Sequence, residues 1–196
     1  MQNATSETAG TESRRLDIIR AAARLFAAQG YAGTSMRDIA AAVGMLPGSL
    51  YYHFPSKEML IEQIFIVGSQ TLSAAVEAAV AGLSDPWARL EQACITHLEA
   101  HLSDSRFAAA ITSASLRLAP ALRARVVAHL DRYEALFAAM IQALDLPAEI
   151  DRSIYRLSLL STLNAVEFWY RPGGRAPDYI ARQIFAIYDH RPSCRG

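Results

Sequence analysis

Apolar residues recur every three or four positions along most of the chain, the spacing that places them on one face of an α-helix. No segment combines strand-like alternation with the turn residues that join hairpin strands. The sequence therefore predicts an all-α fold. Gly and Pro breaks divide the pattern into predicted helices over residues 14–29, 36–43, 47–53, 56–81, 86–101, 105–117, 120–144, 149–170 and 177–190.

The two shortest predicted helices follow each other near the N-terminus. Thr34 and Ser35 are suited to capping the helix over 36–43, and Gly44 follows it where a left-handed backbone is favourable. Pro47 suits the first turn of the next helix. A helix, a glycine-containing turn and a second short helix form the helix-turn-helix pattern, whose second helix lies in the major groove of DNA.

The segment 41–60, AAVGMLPGSLYYHFPSKEML, resembles the signature of the TetR family of bacterial transcriptional regulators. Leu46 departs from the family pattern, which has a capping serine there, so this cap must come from elsewhere or be absent. The resemblance is specific over residues 14–60 and loose beyond them. The matching residues are Gly44, Gly48, Leu50, Tyr51, His53, Phe54, Ser56, Lys57, Glu58 and Leu60.

The resemblance implies a three-helix DNA-binding head over residues 12–58 and a larger helical bundle, for ligand binding and dimerisation, over residues 59–196. Residues 1–11 are small and polar, which predicts a disordered tail. The helix over 56–81 would join the two parts as a rod of roughly 40 Å. A ligand that favours another tilt of this rod would separate the heads of a dimer and release a repressor from DNA.

The resemblance also implies which residues of the head contact double-stranded operator DNA. Leu50 and Phe54 are expected to pack inside the head, while Tyr51 and Lys57 contact phosphates. Phosphate contacts position a protein and base contacts specify the sequence. The short second helix has no Arg, Asn or Gln, the side chains that recognise a base edge through two hydrogen bonds. The other residues expected to face DNA are Arg37, Pro47, Gly48, Ser49, Tyr52 and His53.

The charge of the chain supports DNA binding in only one part of the sequence. The whole chain has a formal charge of zero, so a basic footprint for DNA must be confined to one part. Residues 14–57 hold six Lys or Arg and two Asp, a balance of 6 − 2 = +4. Arg14 and Arg15 lie where an N-terminal basic arm would reach phosphate or the minor groove.

The run FWYRPGG at residues 168–174 has two interpretations. It is either an aromatic helix end that packs before a Pro-Gly stop, or the W-Y-R-P-G-G run of a family branch with acyl-CoA-responsive members. In the second case Arg171 or Arg175 would meet the phosphates of coenzyme A. The acyl cavity would then be lined by Phe137, Met140, Leu144, Leu159 and Leu163, and Trp169 is a further predicted ligand-binding residue.

Broad apolar faces on the last two predicted helices indicate a homodimer with a four-helix interface. A two-fold dimer predicts a pseudo-palindromic operator with half-sites about one helical turn apart. A regulator without a small-molecule effector, controlled by a protein partner or by abundance, stays an alternative. The predicted interface residues are Leu157, Leu160, Ser161, Asn164, Ala165, Phe168, Ile180, Ile184, Ile187 and Tyr188.

Other chemistry has little support in the sequence. A nucleophile elbow, a phosphate loop and a dinucleotide fingerprint are all missing, so neither an enzyme nor a cofactor is predicted. His97 and His101 have the i, i+4 spacing of metal ligands but no supporting third ligand, and ordinary polar roles are expected. The polar N-terminus lacks a signal peptide, and no run approaches the length of a membrane span. A cytoplasmic protein is predicted.

Overall fold

The computed structural model describes residues 3–103 and 120–191, with side chains over 12–102 and 120–191. These ranges contain helices and no strand, which confirms the predicted all-α fold. The predicted helix over 105–117 lies outside the described residues. A single 3-10 turn covers Val166–Phe168. The helices are α1 (Asn3–Gly33), α2 (Met36–Ala42), α3 (Pro47–His53), α4 (Lys57–Val80), α5 (Pro86–Ser103), α6 (Pro120–Gln142), α7 (Arg152–Ala165) and α8 (Pro177–Tyr188).

Helices α1 and α7 differ from the prediction for local reasons. Helix α1 begins at Asn3 rather than at residue 14, and it leaves helical geometry at Gly30, whose φ is 75°. Helix α7 begins only at Arg152, because the Asp151 carboxylate accepts the backbone N–H groups of Ser153 and Ile154 at 2.8 and 3.0 Å. It ends early, since the chain tightens into the 3-10 turn instead of continuing the predicted helix to residue 170.

The described chain divides into two compact units. The first contains residues 3–68 and 120–129, and its core is built from α1 to α4. The second contains residues 69–103 and 130–191, and its core lies where α5 packs against α7 and α8. Fully buried side chains include Phe26, Leu50, Phe54 and Phe65 in the first unit, and Leu90, Leu98, Phe137, Leu159 and Leu163 in the second.

The expectation that no run approaches the length of a membrane span is wrong for helix α4. By length and composition it is apolar enough to cross a bilayer, although no such run was predicted. The core helices of water-soluble proteins meet the same criterion. The side chains of Leu60, Ile61, Ile64 and Phe65 on α4 are fully buried within the protein. The apolar character of α4 is thus accounted for in part by its packing.

Candidate DNA interface and effector cavity

Helix α2 has the cap that the sequence predicts. The Ser35 hydroxyl accepts the backbone N–H of Asp38 at 3.2 Å, and the Asp38 carboxylate accepts the N–H of Ser35 at 2.8 Å. This reciprocal pair is a capping box, and the Ser35 hydrogen bonds hold the pKa of Asp38 below its ordinary value. Gly44 turns the chain after α2 with a φ of 64°, a conformation that side chains disfavour.

Helix α3 begins without a side-chain cap. Leu46 occupies the cap position, and its carbonyl accepts the backbone N–H groups of Ser49 and Leu50 at 3.0 and 3.2 Å. Pro47 fills the first turn, where its missing N–H costs no hydrogen bond. The serine cap of the family pattern is therefore absent here and not replaced by another side chain.

Helix α3 separates its core residues from its surface residues as expected. Leu50 and Phe54 are fully buried, which agrees with their predicted packing role. Tyr52 is 85% exposed and Tyr51 48% exposed, while His53 is half-buried with its ring 5.6 Å from that of Tyr52. We use the name recognition surface for the residues predicted to face DNA that are exposed here: Arg37, Pro47, Gly48, Ser49, Tyr51 and Tyr52.

Lys57 has a structural role that the sequence did not reveal. Its ammonium group donates to the backbone carbonyls of Tyr31 and Thr34 at 2.8 and 2.9 Å and lies 4.3 Å from the centre of the Tyr31 ring. An ammonium has three donors, so one remains for the predicted phosphate contact. The Thr34 hydroxyl donates to the carbonyl of Gly30 at 3.0 Å. Lys57 and Thr34 thus hold the C-terminal end of α1.

The second unit contains an open cavity of about 550 Å³, within the size range of small-molecule sites. It lies at the C-terminal end of α4, beside the start of α5 and the last turns of α6. Arg89 lines it and donates to the carbonyls of Val80 and Leu83 at 3.0 and 2.9 Å. The lining residues are Val76, Glu77, Val80, Ala81, Leu83, Ser84, Pro86, Arg89, Leu136, Ala139, Met140 and Ala143.

The structure places five of the predicted acyl-cavity residues in one packed core, and only Met140 of them lines the cavity. Met140 lines the cavity, whereas the side chains of Phe137, Leu144, Leu159 and Leu163 are packed in the core of the second unit. Helical periodicity gives the apolar face of each helix, but it does not distinguish residues that line a void from residues that pack against each other. Trp169 and Arg171 are exposed and do not line this cavity.

The Pro-Gly-Gly part of the FWYRPGG run forms a tight turn. The backbone N–H of Gly174 donates to the carbonyl of Arg171 at 3.0 Å. Pro172 occupies the second position of this turn, and Gly173 the third with a φ of 85°. This arrangement is that of a turn requiring glycine at its third position. Backbone geometry therefore accounts for Pro172 and Gly173.

A buried polar network occupies the second unit at the predicted i, i+4 histidine pair. The His97 ring is buried, with Nδ1 2.6 Å from Tyr133 Oη and Nε2 3.0 Å from Asn164 Oδ1. The His101 ring stacks on it at 5.6 Å, and His101 Nε2 lies 3.2 Å from a carboxylate oxygen of Glu167.

Burial lowers the pKa of His97 to about 3, so this ring is neutral near pH 7. Burial also lowers the pKa of His101, although the Glu167 carboxylate opposes that shift. The nitrogen atoms of His97 are thus committed to protein partners. Among the described residues, no group of three potential metal ligands occurs.

The predicted dimer faces are only partly exposed. Leu160, Ile180 and Ile184 are buried in the core of their own chain. The large apolar side chains that α7, α8 and the adjoining 3-10 turn expose include Ile154, Leu157, Phe168, Tyr179 and Ile187.

A capped helix, a glycine turn and a short helix with exposed tyrosines define a helix-turn-helix DNA-binding protein. The family model described as "Bacterial regulatory proteins, tetR family" matches residues 18–64. The model described as "Tetracyclin repressor-like, C-terminal domain" matches residues 83–188. The chain belongs to the TetR family, a family of DNA-binding transcriptional regulators, which confirms the resemblance.

Individual relatives support the same assignment. The chain is 32% identical over 188 residues to the transcriptional repressor KstR2 of Rhodococcus jostii strain RHA1, covering 92% of each chain. The solved structure of the ketosteroid transcriptional regulator KstR2 of Mycobacterium tuberculosis has a TM-score of 0.73 at 25% identity, covering 89% of this chain and 92% of that one. The structure of AibR in complex with isovaleryl coenzyme A and operator DNA has a TM-score of 0.78 at 27% identity. The match covers 89% of this chain and 97% of that one.

Proposed function

We propose that this protein is a ligand-released repressor that binds a pseudo-palindromic operator as a homodimer in the cytoplasm, with an acyl-CoA thioester as its effector. The observation that carries the proposal is the cavity of about 550 Å³ in the second unit. It occurs in a chain similar to AibR, whose structure contains isovaleryl coenzyme A and operator DNA.

Operator binding is assigned to the recognition surface together with His53 and Lys57. Tyr51 and the free donor of Lys57 contact phosphates. Ser49, Tyr52 and His53 contact base edges, and Arg37 lies near the groove. Tyr52 is the strongest candidate for base contact, because its side chain is 85% exposed on α3.

Dimerisation is assigned to the exposed apolar side chains of α7 and α8. Ile154 and Leu157 on α7 and Ile187 on α8 are each at least 49% exposed in the single chain. Large apolar patches of this kind mark protein interfaces. A two-fold interface presents two copies of α3, which requires two operator half-sites.

The cavity provides an apolar wall and a polar rim for the effector. Leu136, Ala139 and Met140 supply the wall, and Glu77 and Arg89 supply polar groups. We assign the acyl part to this cavity. The exposed Arg171 and Arg175 remain the proposed partners of the coenzyme A phosphates. The packed Phe137, Leu144, Leu159 and Leu163 would contact an acyl chain only if the core rearranged on binding.

Two helices link the effector cavity to the head within the chain. Met140 lines the cavity near one end of α6. Near the other end, Arg125 Nε lies 3.0 and 3.1 Å from the two carboxylate oxygens of Glu62 on α4. An effector that moves either helix would therefore alter DNA binding by the head. It can shift the equilibrium only by its differential affinity for the two states.

The test is release of the purified protein from the DNA upstream of its own gene by a panel of acyl-CoA thioesters, with the free acids and coenzyme A as controls. Ala139→Phe fills the cavity and should abolish release while leaving operator affinity unchanged. Ala138→Phe is the matched control, because Ala138 is exposed on the same helix and does not line the cavity. Equal release in both variants would place the effector elsewhere.

A regulator without a small-molecule effector is the second candidate. The close packing of Phe137, Leu159 and Leu163 favours it, because most of the predicted pocket is solid. This candidate predicts that no thioester, acid or coenzyme A releases the DNA. It also predicts that Ala139→Phe leaves regulation in cells unchanged.

A further inference from the structure

Two consecutive arginines of α1 donate to the C-terminal ends of the two helices in the helix-turn-helix. Arg14 Nη2 lies 3.0 Å from the carbonyl oxygen of Val43, the residue that ends α2. Arg15 Nη1 lies 2.8 Å from the carbonyl oxygen of His53, the last residue of α3. The Arg15 guanidinium also lies 4.5 Å from the centre of the Phe54 ring.

These contacts suit the electrostatics of helix ends. The last carbonyls of a helix lack intrahelical partners and carry partial negative charge, so a cation placed there is stabilising. Neighbouring residues on a helix project about 100° apart, which lets Arg14 and Arg15 reach two different helices. Because both side chains start from α1, they relate the ends of α2 and α3 to one rigid element.

We propose that Arg14 and Arg15 are positioning residues for the recognition helix and not the phosphate-contacting basic arm that their sequence position suggests. They fix the orientation of α3 within the head by holding the ends of α2 and α3 on α1. The inference rests on DNA binding by the head. It does not depend on an effector or on its identity.

Positioning and phosphate contact have different consequences for DNA binding. Phosphate attraction acts on any sequence and falls with salt in proportion to the number of phosphates contacted. Base-edge hydrogen bonds depend on the orientation of α3, because they require close geometry in the groove. Loss of a positioning residue therefore lowers affinity for the operator far more than affinity for unrelated DNA.

The experiment measures binding of the full-length protein to the operator and to a scrambled duplex of equal length, at several salt concentrations. Arg15→Met should weaken operator binding by about tenfold, the effect of one charge-assisted hydrogen bond. Affinity for the scrambled duplex should change by less than about twofold. The salt slope, which is the slope of log affinity against log salt concentration, should stay the same. Arg14→Met should have a smaller effect of the same kind, since its hydrogen bond is exposed.

Arg24→Met is the charge-matched control. Arg24 is exposed on α1, and no hydrogen bond or ion pair to it occurs among the described side chains. The Arg24→Met substitution removes one positive charge from α1 but no contact with a helix end. It therefore measures the effect of the lost charge alone on DNA binding. The ratio of operator to scrambled affinity should remain that of the wild type in this variant.

A phosphate contact would give the opposite pattern. Arg15→Met would then weaken both duplexes alike and reduce the salt slope by about one, and Arg15→Lys would bind like the wild type. The positioning role predicts that Arg15→Lys also loses operator preference, because lysine lacks the planar fork that spans the carbonyl and the Phe54 ring. Arg15→Lys retains the charge and keeps the test valid if Arg15→Met unfolds. A wild-type protein with no preference for the operator would contradict the proposed function itself.

Discussion

His97 Nδ1 lies 2.6 Å from the phenolic oxygen of Tyr133, inside the second unit. Because the neutral ring has one donor and one acceptor, Tyr133 donates to Nδ1 and the Nε2–H of His97 donates to Asn164 Oδ1 at 3.0 Å. The three residues come from α5, α6 and α7. One neutral imidazole thus joins three helices of the second unit, and its protonation would remove the acceptor that Tyr133 uses.

Stability should fall on acidification because of this histidine. The pKa of His97 is about 3 in the folded chain and about 6.5 when unfolded, so the unfolded state binds the extra proton between these values. The free energy of unfolding should therefore rise with pH across this window. The free energy of unfolding should be about 2 kcal/mol lower at pH 5 than at pH 7. The lowered pKa of His101 acts in the same direction.

Urea unfolding at several pH values measures this dependence. His97→Gln removes the titrating group, so its unfolding free energy should vary less steeply with pH, by about one proton near pH 5. Parallel curves for the wild type and the variant would show that His97 does not control the acid sensitivity.

Lys57→Met should destabilise the head as well as weaken DNA binding. The substitution removes the hydrogen bonds to the carbonyls of Tyr31 and Thr34 and the contact with the Tyr31 ring. The expected loss is about 2 kcal/mol in the free energy of unfolding, measured without DNA. An unchanged unfolding curve together with weaker DNA binding would leave Lys57 with the phosphate role alone.

The two exposed tyrosines of α3 should behave differently. Tyr52→Ala should reduce the preference for operator over scrambled DNA by about tenfold, since a base contact is lost. Tyr51→Phe should weaken both duplexes by a similar factor, because a phosphate hydrogen bond carries no sequence information. Competition binding with both duplexes distinguishes the two effects. The reverse pattern would exchange the proposed roles of Tyr51 and Tyr52.

Gly173→Ala should destabilise the protein by about 1 kcal/mol, because its φ of 85° is unfavourable for a residue with a side chain. Gly82→Ala is the matched control, since Gly82 has no such φ and no atom within 4 Å of an added methyl group. Thermal unfolding of both variants is the measurement. Equal shifts in Tm would show that the turn does not depend on glycine.

The parts of the molecule set by local chemistry were predictable from the sequence. Ser35 caps α2 and Gly44 turns the chain, because both effects involve residues close in sequence. Leu50 and Phe54 were correctly assigned to the core from the helix-turn-helix pattern. The hydrogen bonds of Arg15 and Lys57 were missed, because each joins the side chain to a carbonyl more than twenty residues away.

The cavity proposed for the effector was least predictable. Phe137 and Met140 both lie on the apolar side of α6, but only Met140 borders open space. Whether an apolar residue faces a void depends on the packing of three helices and not on the period of one. The polar network of His97 was likewise hidden, because Tyr133 and Asn164 belong to other helices.

Footprinting of the protein on the DNA upstream of its own gene tests the central claim most directly. The account predicts two protected half-sites with two-fold symmetry, centred about one helical turn apart, and loss of both in Tyr51→Ala. Asymmetric protection of a single site, or an unchanged footprint in Tyr51→Ala, would contradict binding by a dimer through α3.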